Sequence, residues 1–271
     1  MKTDCHLHIL DPDRFPYRKD SIYLPAPHET ATVEQLIDVF DAHGITHGLV
    51  VTPMAGYQSD NSVTLDALSR YPKRLRGIAV VEADVAETEI DRLVKNGVVG
   101  IRIDLIGRGT DYVRGPGGKR LLNMMRDRKL VTQIQCEFDQ LAEVGGILSA
   151  EAGVLVIDHA GRPDAALGTE QPGFKSLLKL AEREHVVVKL SGPFRFSRAG
   201  YPFSDTIPYM RKVVETFGAS RCVWGSDWPF LRMSPRIDYG PTLSALESWI
   251  PDENARNQIL WTTPARIFGF A

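Results

Sequence analysis

The chain has little cysteine. Its three residues, Cys5, Cys136 and Cys222, are odd in number, far apart and without a CxxC pair. They offer no disulfide framework, and a reduced, intracellular setting fits them as packed thiols. No apolar run approaches the ~20 residues that span a bilayer. No basic segment followed by an apolar one opens the chain, so a cytoplasmic protein without a membrane partner is expected. Net charge is only −2, with the signs mixed, which leaves no footprint for nucleic acid. A glycine-rich dinucleotide fingerprint is missing after the first apolar stretch. Gly115-Pro116-Gly117-Gly118-Lys119 is not a phosphate loop, because Val113 stands where the first glycine belongs and Arg120 where Ser or Thr should be. No linker composition and no internal repeat divides the chain, so residues 1–271 read as one domain.

What is present is alternation. Short apolar runs at 48–52, 75–81, 98–105, 130–136, 154–159, 186–191 and 222–227 follow a first strand within 1–9, and amphipathic helical stretches separate them. Thr32-Val33-Glu34-Gln35 is a capping box that opens the first helix. Val186-Val187-Val188 is apolar throughout, as a sheet covered on both faces requires. Eight strands each followed by a helix predict a single (β/α)8 TIM barrel, with an extra helix at the C-terminus.

The polar residues then acquire a place. His6 and His8 alternate along the first strand and share a face. His159 leaves the sixth strand and Asp227 the eighth. Four such groups at strand C-termini converge on one mouth. His185 starts a strand and lies at the wrong end; His28, His43 and His47 are expected to be structural. The proline-rich connection 10–32 is expected to cross the mouth, where Tyr17 and Tyr23 either touch substrate or pack their rings under the loop. Arg102, Arg108 and Arg195 suit a substrate with two carboxylates, since guanidinium forks bind carboxylates in bidentate fashion; the alternative is a salt bridge facing the helices, for Arg108 more than for Arg102. The glycine-rich stretch 107–118 is expected to be a lid loop.

His6-Leu7-His8, Asp158-His159-Ala160-Gly161-Arg162-Pro163-Asp164 and Trp224-Gly225-Ser226-Asp227-Trp228-Pro229 together resemble the amidohydrolase superfamily. The branch they are most similar to is that of the 2-pyrone-4,6-dicarboxylate lactonases. Asp11-Pro12, Asp60-Asn61, Gly100-Ile101-Arg102 and Ser191-Gly192-Pro193 extend the resemblance over nearly the whole chain. It implies hydrolysis of a small carboxylated lactone. Asp227 would activate water, His6, His8 and His159 would polarise the carbonyl, and Arg102, Arg108 and Arg195 would bind substrate. Gln135 stands where the lactonase pattern puts a tyrosine against the ring, so it would tune ring fit. Three imidazoles and a carboxylate are sufficient ligands for Zn2+. The middle strands, however, offer Gln133, Gln135, Cys136, Lys189 and Ser191 instead of the further ligands many amidohydrolases use. The resemblance therefore implies no cofactor, with Zn2+ held by His6, His8, His159 and Asp227 as the alternative. The rival reactions are a lactone isomerase and a zinc-dependent decarboxylase.

Overall fold

The computed structural model describes residues 1–271. Eight strands, β1 (Thr3–Leu7), β2 (His47–Val51), β3 (Leu75–Val80), β4 (Val98–Asp104), β5 (Val131–Gln135), β6 (Leu155–Ile157), β7 (Val186–Ser191) and β8 (Cys222–Gly225), pair in parallel in chain order. Between β1 and β8 the seam is short. The Asp227 N–H donates to the His6 carbonyl at 2.7 Å, and the His8 N–H donates to the Trp228 carbonyl at 2.9 Å. Gly225 permits this approach: a Cβ there would lie 2.6 Å from the His6 Cβ. Buried Asp4 reinforces the seam, accepting from the Ser226 hydroxyl at 2.6 Å and the Tyr239 hydroxyl at 2.8 Å. The expected TIM barrel, with helices covering the sheet from Val33–His43 through Tyr239–Trp249, is the architecture found.

One departure from regular strand geometry shapes the site. Cys5 packs with Val131, Val187 and Val223 inside the barrel. The next residue, His6, meets Asp158 and Lys189, also inside. Neighbouring residues of a regular strand face opposite ways. The β1–β2 register shifts between Asp4 and Leu7, and that irregularity turns His6 inward.

The bottom of the barrel is closed by the chain's end. Glu253–Asn257, a π-helical turn over Gln258–Thr262 and Thr263–Phe268 form one helical run. Its Phe268, and Phe270 just beyond its end, seal the interior cluster against Cys5 and Val223, each burial stabilising by roughly 1.5–3 kcal/mol. The stretch 107–118, expected to be a lid, is instead helical. Turns at Leu105–Arg108 and Asp111–Arg114 lead into a helix over Pro116–Asp127. Pro116 presets the first helical φ. A Cβ on Gly118 would lie 2.0 Å from the Tyr112 carbonyl oxygen, so that glycine serves close packing rather than motion. No helix is long and apolar enough to cross a membrane.

Candidate active site

At the C-terminal ends of the strands lies a cavity of about 420 Å³, lined by His8, His159, Asp227, Arg102, Arg195, Tyr23 and Gln135 among others. Three of its groups sit on strained backbone. His159 has φ 51°, Arg162 φ 46° and Asp227 φ 61°. Such left-handed conformations cost about 1–3 kcal/mol each and persist where the surroundings hold them.

Asp227 is the hub. Its Oδ1 lies 3.4 Å from His8 Nε2 and 3.8 Å from His6 Nε2, and its Oδ2 lies 3.9 Å from His159 Nε2. Arg195 Nε donates to Oδ2 at 2.7 Å. Burial pushes the Asp227 carboxyl up, but Arg195 and His159 outweigh it and hold the group well below the usual carboxylate range. Burial lowers His159 to about 3, with Asp227 opposing. It lowers His6 far below the ordinary imidazole value, with Lys189 acting in the same direction. Both rings are neutral at pH 7.

Hydrogen bonds fix or free each tautomer. His8 Nδ1 faces the Val51 carbonyl at 2.7 Å. A carbonyl only accepts, so neutral His8 carries its proton on Nδ1 and presents a lone pair at Nε2. It cannot then donate to a substrate carbonyl, the role expected of it. His159 Nδ1 lies 2.8 Å from the Ser191 hydroxyl, which can donate or accept. When Ser191 donates, His159 Nε2–H points into the cavity. His6 is fully buried and reaches the cavity only through its neighbours.

Beneath these groups lies a network of charges. Lys189 Nζ sits 2.7 Å from Gln133 Oε1, 3.2 Å from His6 Nδ1 and 3.3 Å from Asp158 Oδ1, wholly out of solvent. Asp158 Oδ2 accepts from Arg102 Nε and from Gln133 Nε2, both at 3.0 Å. Burial pushes Asp158 up, yet Lys189, His6 and Arg102 together hold it well below its ordinary value. Arg102 thus spends Nε on Asp158 and keeps its outer nitrogens toward the cavity.

The other expected binding residues divide. Tyr23 and Gln135 line the cavity. Tyr23 donates its hydroxyl to Glu29 at 2.5 Å. Arg108 is not brought there: its guanidinium forms a bidentate pair with Glu82 at 2.6 and 2.9 Å and lies over the Tyr112 ring. Tyr17 packs edge-on against Tyr57 under the first connection, away from the cavity. His43 stacks on Tyr239, His47 packs against Trp261, and His185 reaches the Ser149 carbonyl at the far end. Sequence reasoning assigned no role to Asp158, Lys189, Arg162 or Arg232. The signal for Lys189 was a lone cation inside the apolar run Val186-Val187-Val188-Lys189-Leu190.

The amidohydrolase family model matches residues 3–270. The chain belongs to the amidohydrolase family. Among curated amidohydrolases, the 4-sulfomuconolactone hydrolase of Rhizobium radiobacter is 32% identical over 98% of this chain and 89% of that protein. The 2-pyrone-4,6-dicarboxylate hydrolase of Comamonas testosteroni is 28% identical over 98% and 89%. A crystal structure of a probable 2-pyrone-4,6-dicarboxylic acid hydrolase from Acinetobacter baumannii with citric acid bound superposes with a TM-score of 0.90. It is 27% identical and covers 99% of both chains.

Proposed function

We propose that this amidohydrolase opens a carboxylated lactone by adding water to its ring carbonyl. The observation that carries the reading is an ionised, desolvated carboxylate, Asp227, set beside the His8 lone pair on the floor of a cavity rimmed by arginines. A water between Asp227 Oδ1 and His8 Nε2 is held through its own two protons, with an oxygen lone pair left facing the substrate. Asp227 takes the proton as the carbonyl is attacked, and when the tetrahedral intermediate collapses and the ring C–O bond breaks it returns that proton to the departing ring oxygen. His159 Nε2–H is the donor to the oxyanion. Arg102 anchors a carboxylate, and Tyr23 and Gln135 bound the ring. His6, buried behind them, holds Asp227 through its backbone carbonyl, which accepts from the Asp227 N–H at 2.7 Å.

The donors also suit a divalent ion. The ligand atoms of His6, His159 and Asp227 lie within 4.8 Å of one another, and His6 Nε2 is buried without a hydrogen-bond partner. With His8 completing the set, such an ion would polarise the carbonyl and make bound water more acidic. The proposed hydrolysis uses the side chains alone.

Incubating the purified protein with carboxylated lactones and following product mass tests it. A gain of one water supports hydrolysis. An unchanged mass with a new ring marks isomerisation, and loss of carbon dioxide marks decarboxylation.

A further inference from the structure

A lactone with two anionic groups needs two cationic forks, and most of those expected from the sequence are already engaged. Arg195 donates to Asp227 and to the Leu231 carbonyl. Arg108 is held by Glu82. Arg102 retains its outer nitrogens, which suffices for one carboxylate. The cavity wall supplies another candidate in Arg162, which lines it together with Glu137. The same two residues and Arg195 also wall an adjoining hollow of about 140 Å³.

Arg162 is under-used as it stands. Its Nη2 lies 3.3 Å from Glu137 Oε2, the single carboxylate contact it makes. Its Nε is buried without a hydrogen-bond partner. Buried N–H groups ordinarily find an acceptor, so the contacts Arg162 makes leave its guanidinium unsaturated, while the residue lines both the cavity and the adjoining hollow. The Arg162 backbone is fixed: its N–H donates to the His159 carbonyl at 2.9 Å, and its carbonyl accepts from the Phe138 N–H at 3.0 Å. An anion bound there keeps a set distance from His159. Glu137 is a quarter exposed and can turn toward solvent.

We propose that Arg162 is a second anion subsite, taking the carboxylate or sulfonate that lies away from the scissile carbonyl, with Glu137 as its resident competitor. The proposal rests on the lactone-hydrolase reading. Binding exchanges one anion for another on the guanidinium, so the subsite rewards substrates that bring a charge and penalises those that leave Glu137 to be desolvated.

The test pairs lactones carrying one or two anionic groups, the second being carboxylate or sulfonate. Benzoate and isophthalate serve as non-hydrolysable probes measured by calorimetry. Arg162→Gln should lower kcat/KM on the dianionic lactones by about 10- to 150-fold, mainly through KM, the range for hydrogen bonds to charged groups. Isophthalate binding should weaken by a similar factor, and benzoate by far less. Glu137→Gln should tighten both dianionic ligands several-fold. If Arg162→Gln fails to fold, judged by its melting curve, the Glu137→Gln arm decides alone. Equal losses on singly and doubly charged ligands, or dianion affinity indifferent to Glu137→Gln, would overturn the subsite. Turnover of no lactone, with isophthalate binding still dependent on Arg162, would sink the hydrolase reading and keep the subsite.

Discussion

Arg195 Nε lies 2.7 Å from Asp227 Oδ2, and its Nη1 lies 2.7 Å from the Leu231 carbonyl. The guanidinium is a strut for the candidate base before it is a fork for substrate. Arg195→Gln should therefore lower kcat/KM by a similar factor on charged and uncharged lactones, on the order of 10- to 150-fold. Arg102→Lys should behave differently, because its outer nitrogens are open and lysine cannot copy a bidentate contact. Its loss should be largest on acidic lactones. Kinetics on a lactone with and without its carboxylate check both, and a charge-selective loss from Arg195→Gln would return that residue to substrate binding.

Asp227 is the one carboxylate that faces the three imidazoles at 3.4–3.9 Å. Asp227→Asn keeps the shape and removes the base. The kcat should fall by ~100-fold or more, within what general-base catalysis supplies. A variant within a few-fold of wild type would remove Asp227 from that role.

The metal question has a direct answer by chelation. If side chains alone polarise the carbonyl, overnight chelation should leave the rate as it was, and elemental analysis should find less than about one tenth of an equivalent of zinc. Stoichiometric zinc, with activity lost on chelation and restored by readdition, would make His6, His159 and Asp227 ligands and displace the side-chain mechanism.

Strand alternation and the polar residues at strand ends made the barrel and the placement of His8, His159 and Asp227 legible in the sequence, because both follow from local periodicity. Arg108 was misread for a physical reason. Its partner Glu82 lies 26 residues away in sequence, and pairing across a rim leaves no periodic trace. His8 was placed correctly but given a donor's role, since its tautomer depends on the Val51 carbonyl of the neighbouring strand. The glycines of 107–118 looked like flexibility, and Gly118 turned out to be a close contact.

Lys189 and Asp158 make a separate prediction about stability. Both are fully buried, and each compensates the other's charge. Removing one partner of a buried pair typically costs about 3–5 kcal/mol; Asp158 would keep Arg102 at 3.0 Å, so the lower part of that range is expected. Lys189→Met should therefore destabilise strongly in denaturant titrations. Lys189→Met combined with Asp158→Asn should recover part of the loss. A single variant as stable as wild type would mean that water reaches Asp158.

Stability should also decline on mild acidification, and the sign follows from which state binds protons. His6 and His159 are buried and neutral, His159 lowered by burial to about 3 and His6 well below its ordinary value. Below pH ~6.5 the unfolded chain protonates both while the folded chain does not, so their contribution is full above that value and shrinks as pH falls. Each histidine acts with a limiting slope of about 1.4 kcal/mol per pH unit. Asp4 runs the other way: burial raises it to about 6, against its hydrogen bonds from Ser226 and Tyr239. Its contribution is full below the ordinary carboxylate value and is lost as pH rises through about 6. Two buried histidines against one carboxyl leave a net fall in stability as pH drops below about 6. Asp158 and Asp227, held below their ordinary values, add to the fall at lower pH. Urea midpoints at pH 7, 5 and 4 measure this directly. Constant or rising stability toward pH 4 would show that the folded protein takes up protons at His6 and His159, contrary to their burial as neutral rings.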